Sequence, residues 1–219
     1  MLNKLQEIEL LLDRAHEHLE WLQKYVVHPD PNLVPERAGY HILPESFDPI
    51  TGQIRIVMGE FASCLRNALN YLTCALAEQD SGSIGKRVQF PIEDTPDDFT
   101  TKRVRQGHLK GIRDEHLALF ERFQPYRATD KDWIGLLRDL SNWYRHNGLI
   151  RVEKVFQGPK DPTLPAEIEW HGPLKMEVRR DFTFAVSLPD GRPVIETLEE
   201  LLLLVRGAIK EFEAVVIPD

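Results

Sequence analysis

The sequence predicts an α+β fold that is mostly α: a helical bundle, a small C-terminal antiparallel β meander and a closing helix. Three observations predict it. Long stretches at 2–27, 54–79 and 132–147 repeat apolar residues at helical spacing. Residues 176–188 alternate apolar and polar side chains, as a half-buried strand does. Thr197-Leu198-Glu199-Glu200 is a capping box that opens a last apolar helix. The expected organisation is one domain over 1–219. Within it, 1–148 form the bundle, 149–195 the β appendage and 196–216 the closing helix.

The first helix, over 2–27, carries Leu5, Ile8, Leu12, Ala15, Leu19, Leu22 and Val26 in a three-four alternation. That narrow stripe suits packing against neighbouring helices within the chain, with a dimeric coiled coil as the sharper alternative. His16 and His18 point to different helix faces, so they and His28 are read as solvent-facing rather than as metal ligands. The proline-rich stretch from His28 to Pro35 reads as a linker. Arg37 to Pro44 has strand-like composition, and Asp48 to Gly52 reads as a turn.

Ile54 to Gln79 is the central helix. Phe61, Leu65, Ala68, Leu69, Leu72 and Leu76 form its apolar stripe, widened on one flank by Cys64, Tyr71 and Ala75. Ser63, Arg66, Asn67, Asn70 and Thr73 form a polar strip. Buried polar groups need partners, so this strip either ties helices together or lines a pocket. Cys64 and Cys74, about 15 Å apart along a helix, cannot bond to each other and read as buried free thiols.

Val88 to Ile92 reads as a short extended piece. Thr95-Pro96-Asp97-Asp98 is a strong helix start, with a threonine cap, proline in the first turn and two acids behind it. That helix is expected to reach about Gln106. Another covers Ile112 to Phe123, with Ile112, Leu117, Leu119, Phe120 and Phe123 inward. It is stopped by Gln124-Pro125-Tyr126. Asp132 to Asn147 follows, with Trp133, Leu136, Leu137, Leu140 and Tyr144 on its core face and Gly148 as its stop. Strands are expected at 149–157, 167–171 and 176–188, where Arg180 breaks the apolar side. Pro189-Asp190-Gly191 then turns the chain into a returning strand at 192–195. The closing helix places Leu198, Leu201, Leu202, Val205, Ile209 and Phe212 inward.

Composition narrows the function. The 219 residues carry a net charge of −8, which argues against a general charge-driven grip on nucleic acid or an anionic membrane, while leaving room for a local basic site. No apolar run is long enough to span a bilayer. Met1 leads directly into an amphipathic helix with acidic residues rather than a basic leader, so a cytoplasmic protein is expected. Glycine-rich phosphate loops, HExxH, CxxC and GxSxG motifs are absent, and no metal or cofactor is expected.

The tightest polar grouping is Asn142, Arg145 and His146, one turn of one helical face. Arginine supplies a fixed cation, histidine a proton carrier near neutrality, and asparagine both donors and acceptors. Such a set suits a phosphodiester substrate. The plainer alternative is a solvated helix end whose cations complement the helix dipole. Arg66, Asn67 and Asn70 form the second grouping.

Leu65-Arg66-Asn67-Ala68-Leu69-Asn70-Tyr71-Leu72 resembles the helix core of a family of uncharacterised bacterial and phage proteins with an L-R-[SN]-A-L-[DN]-[HY]-L segment. The family's F-P-I and N-x-x-K-H pieces match Phe90-Pro91-Ile92 and Asn142-Trp143-Tyr144-Arg145-His146. The matched region runs from Leu2 to about Val155. The same R-N-x-x-x-[HY] pattern resembles HEPN domains, helical bundles of which many are dimeric, metal-independent ribonucleases of toxin and phage-defence systems. The resemblance implies RNA as substrate, a homodimer, and Arg66, Asn67, Asn142, Arg145 and His146 as catalytic-site residues. Tyr71 stands where the motif places histidine, and a phenol with pKa near 10 is a poor base at neutral pH. Either His146 carries the proton chemistry or the chain is a non-catalytic relative. From another class comes the expectation of a helical binding or scaffold protein. Its partner would meet the first-helix stripe or the wet face of the 176–188 strand.

Overall fold

The computed structural model describes residues 4–27, 36–37, 40–44, 52–128, 132–157, 168–170, 175–179 and 183–216; side chains are described for 4–24, 52–128, 132–152 and 186–214. Most of what is described is helical. The helices are α1 (Lys4–Val27), α2 (Gly52–Ser81), α3 (Pro96–Phe99), α4 (Asp114–Arg122), α5 (Trp133–His146) and α6 (Val194–Val216). A π-helical turn lies at Val104–His108 and a 3₁₀ turn at Pro125–Arg127. No helix among the described residues is long and apolar enough to cross a membrane. The chain separates into two compact units, 1–17 with 59–148 and 199–219, and 18–58 with 149–198.

In the first unit an aromatic cluster sits within a largely aliphatic core. Phe90 is fully buried, with its ring centroid 5.3 Å from Phe120 and 6.1 Å from Phe212. Phe120 and Phe212 stand edge to face at 4.8 Å, and Phe123 stacks on Phe212 at 5.8 Å. These contacts join the extended segment 88–93, α4 and α6 within that unit. Helix α2 presents the expected stripe from Phe61 to Leu76, all of it buried. The α6 stripe from Leu198 to Phe212 is buried as expected. So is the α1 stripe from Ile8 to Leu22, while Leu5 is half-buried and the side chain of Val26 lies outside the described residues. A stripe already buried within the chain is not available as a docking face.

Several expectations shift. His18 is buried rather than solvent-facing, whereas His16 is exposed. His28 and the linker at 28–35 lie outside the described residues, as does the turn at 48–51. Tyr71 is not in the core: it is 39 % exposed, with the Lys4 ammonium 5.3 Å over its ring. The helix capped by Thr95 does not run to Gln106. The cap itself forms, the Thr95 hydroxyl accepting from the Asp98 amide at 3.1 Å. Helix α3 then ends at Phe99, because Thr100 and Thr101 turn their hydroxyls back onto the carbonyls of Asp97 and Asp98. The chain resumes as the π turn, closed by the Leu109 amide on the Val104 carbonyl at 2.8 Å.

Helix α5 keeps its expected ends, but its core face shifts: Leu137 and Leu140 are buried as expected, Trp133, Leu136 and Tyr144 are only half-buried, and Ile134, Gly135 and Ser141 are buried beside them. The Asp132 carboxylate accepts from the Gly135 amide at 2.7 Å, and Gly148, with φ of 106°, follows the C-cap residue Asn147. Helix α6 starts earlier than its capping box. Thr197 lies inside the helix, its hydroxyl bonded back to the Pro193 carbonyl at 2.6 Å; 194–195 are helical, and the expected return is confined to 192–193, where Pro193 bridges Ser187 and the Leu188 amide donates to the Arg192 carbonyl at 2.8 Å.

In the second unit, strands β1 (Glu36–Arg37), β2 (Tyr40–Pro44), β3 (Glu153–Gln157), β4 (Ile168–Trp170), β5 (Lys175–Arg179) and β6 (Thr183–Ser187) pair antiparallel. The stretch 176–188 holds parts of two strands, β5 and β6, and 180–182 lie outside the described residues. β5 pairs with β2 and β4, in the order β1-β2-β5-β4, and β6 pairs with β3. Strand-like composition at 37–44 thus marks a partner for β5, and the pairing is not that of a consecutive meander. Arg55 of α2 donates to the carbonyls of Ile150 at 2.7 Å and Leu149 at 3.1 Å, anchoring the entry to β3.

Candidate functional site

The polar strip of α2 holds a backbone. Arg66 Nη2 donates to the Phe90 carbonyl at 2.7 Å, and the Phe90 amide donates to Asn70 Oδ1 at 3.1 Å. One turn further on, Cys74 Sγ lies 3.8 Å from the Val88 carbonyl. From the other side, Gln124 accepts from the Glu93 amide at 2.8 Å and donates to the carbonyls of Pro91 at 3.0 Å and Phe120 at 2.9 Å. An irregular segment carrying Phe90 into the core has no sheet partner, so side chains satisfy its buried amides and carbonyls.

This assigns Arg66 and Asn70 to holding Phe90 in place. Arg66 is 8 % exposed, and its Nη1 has no hydrogen-bond partner among the described residues. Burial, with the nearby Arg145 and Arg138 cations, lowers its pKa to about 10. The guanidinium remains charged at neutral pH, and Glu93 offsets part of the cost.

The two motif segments do meet at another pair. Arg145, exposed near the end of α5, donates from Nη2 to Asn67 Oδ1 at 3.2 Å. Asn142 and His146 are exposed on the same helix. Among the described residues neither side chain is hydrogen-bonded, and nothing joins His146 to Arg66. Of the five expected site residues, the structure therefore links Asn67 with Arg145, leaves Asn142 and His146 open to solvent, and buries Arg66 on Phe90.

No family model matches the chain, and no curated protein or solved structure matches it. The resemblance to HEPN domains thus rests on the motif residues alone.

Sequence reasoning missed a second polar cluster, which the π turn builds. Glu93 is 8 % exposed and takes Arg103 Nη2 on Oε2 at 2.7 Å. Its Oε1 lies 3.9 Å from His108 Nδ1, a buried atom with no hydrogen-bond partner among the described residues. The other ring nitrogen of His108 is 3.0 Å from Gln89 Nε2. Burial pushes the Glu93 carboxyl up, opposed by Arg103, and pushes His108 down, aided by the Arg103 and Arg66 cations. The two shifts bring an acid and a base closer together in proton affinity. The missed signal was local: Glu93 follows the F-P-I piece, and His108 lies past a helix that the pattern ended at Gln106.

The thiols are half-buried, and burial raises both Cys64 and Cys74. Raised thiols are poor nucleophiles. Among the described residues, no group of three or more His, Cys, Asp or Glu side chains is placed to share a metal ion.

Proposed function

We propose that this chain is a HEPN-like cytoplasmic protein that cleaves RNA without a metal, as a homodimeric toxin or phage-defence component. The observation that carries this reading is the Arg145–Asn67 hydrogen bond of 3.2 Å, which joins the α2 and α5 motif segments. Arg145 would bind the scissile phosphate and stabilise the charge that builds on its non-bridging oxygens. Asn67 positions that guanidinium, and Asn142 orients the strand. His146 would take the proton from the ribose 2′-hydroxyl as its oxygen bonds to phosphorus. The 5′-oxygen then leaves with a proton returned by the imidazole, and the upstream fragment ends in a 2′,3′-cyclic phosphate. In this reading Arg66 does not touch the phosphate. It is a positioning residue, fixing the Phe90 segment under the site.

The test uses labelled single-stranded RNA, EDTA in the buffer, and the Arg145→Ala, His146→Ala double variant beside the wild type. Removing either group of such a pair typically costs about 10²–10⁴-fold in rate. The wild type should yield 2′,3′-cyclic ends, and the variant should lose them. Equal, negligible cleavage by both sinks the ribonuclease reading.

That outcome would leave a helical binding or scaffold protein.

A further inference from the structure

A cavity of about 730 Å³ opens beside the π turn, between the segments 84–87 and 102–110. Five cations line it: Lys86, Arg87, Lys102, Arg103 and Lys110. The rest of its wall is Ile84, Gln106 and two glycines, with no carboxylate and no aromatic ring among the described residues.

The charge there is out of character for the chain. Acidic residues outnumber basic ones, 35 to 27, yet none of the described ones reaches this wall. Arg103 is held from behind by Glu93. Among the described residues, Lys86, Arg87, Lys102 and Lys110 have no ion-pair partner. Like charges gathered in one concavity repel and raise the local potential, which favours an anion there.

Local structure brings them together. The π turn adds a residue to the helical path, and Lys102, Arg103, Gln106 and Lys110 face the cavity across it. Gly85 lies beside Lys110: a Cβ there would stand 3.3 Å from Val88 Cγ2 and 3.4 Å from Lys110 Cδ. Gly107 faces open space, with nothing within 4 Å of a Cβ added to it.

We propose that this cavity binds a polyphosphate chain, a small ligand with two or more linked phosphoryl groups, held through those groups. The volume is that of a small-molecule site. Two guanidiniums offer paired donors to phosphate oxygens, and three ammoniums supply mobile point charges along the chain. A groove for single-stranded nucleic acid would need aromatic platforms for its bases, and this wall has none. A cationic ligand or a metal ion would meet only like charge. The inference is independent of the ribonuclease reading, since it uses neither α5 nor the polar strip of α2.

Calorimetric titration of the full chain with inorganic tripolyphosphate tests it. One site per chain is expected, with inorganic monophosphate binding at least about tenfold more weakly because it loses charge-assisted contacts. Lys86→Gln and Lys110→Gln, both at exposed side chains, should each weaken tripolyphosphate about tenfold. Gly107→Asp, which places a carboxylate in open space, should abolish saturation. Lys210→Gln, on α6, should leave the titration unchanged. Melting curves of each variant show that the fold persists, and the two lysine variants carry the test if Gly107→Asp unfolds the chain. No saturable binding, or equal binding by the wild type and the cavity variants, overturns the proposal. So does an unstructured oligoribonucleotide that outcompetes tripolyphosphate, because the cavity would then be a strand groove.

Discussion

Arg66 illustrates how one residue type in a helix admits two roles. A cation in the middle of an apolar helix serves either a ligand or the fold, and its partner decides. Here the partner is the Phe90 carbonyl, and Asn70 holds the amide of the same residue. Arg66→Ala should therefore lower stability by about 2–3 kcal/mol, the cost of stranding a buried carbonyl that had a charged donor. Arg66→Met, which keeps the stem and removes a half-satisfied buried cation, should cost less. Urea unfolding measures both, and an unchanged midpoint for Arg66→Ala would contradict the tie.

His108 makes a second prediction at this scale. Its folded pKa lies below the ordinary value of 6.5 because of burial and the Arg103 and Arg66 cations. As pH falls through about 6.5, the unfolded chain takes up this proton before the folded one does. The unfolded state then binds more protons, so stability drops as pH falls through that window. Glu93 has the opposite sign: its raised pKa means that the folded chain protonates first, so its contribution grows as pH falls toward the ordinary carboxyl range. His108→Gln should flatten the loss just below pH 6.5. A stability profile of the same slope in the variant would rule out His108 as its source.

Among the elements, α2 and α5 approach so closely that glycine is required. A Cβ on Gly59 would fall 2.1 Å from Cδ2 of Tyr144. Gly59→Ala should destabilise the chain by about 1–3 kcal/mol, the cost of overpacking a rigid ring contact. Adding Tyr144→Leu should recover part of the loss. Thermal melts of the single and double variants decide it: additive losses would mean that the two residues do not meet. The pattern of apolar residues could not show this contact, because a glycine carries no period. It did show the stripes of α2 and α6, whose side chains are buried as their spacing requires. Its failures fall where local bonds compete with periodicity. Thr100 and Thr101 cut a helix short by bonding to carbonyls three residues back, and Thr197 looked like a cap while lying inside the helix it was expected to open.

At the scale of the whole molecule, the sequence made the helix-rich class legible because amphipathic spacing is a local property. Strand pairing is not local, so alternation at 176–188 could not disclose that β5 and β6 have different partners. The candidate site was legible to the same degree. The pairing of Asn67 with Arg145 joins two motif segments 78 residues apart, but the roles of Arg66 and Glu93 depended on which backbone lies beside them. Charge follows the same division. A net charge of −8 describes the average surface, while cations at the end of α5 and in the polyphosphate cavity are local exceptions. If RNA engages α5 alone, few phosphates are neutralised, since Arg138 is already paired with Asp94 and Asp139. Fluorescence anisotropy across a salt series should then give a shallow dependence, with log K against log salt falling at a slope of roughly −1, as one or two phosphate contacts on a single strand require. A slope of about −3 or steeper would mean that the strand also fills the five-cation cavity. A slope near zero would remove phosphate contacts from RNA binding altogether, and with them the role assigned to Arg145.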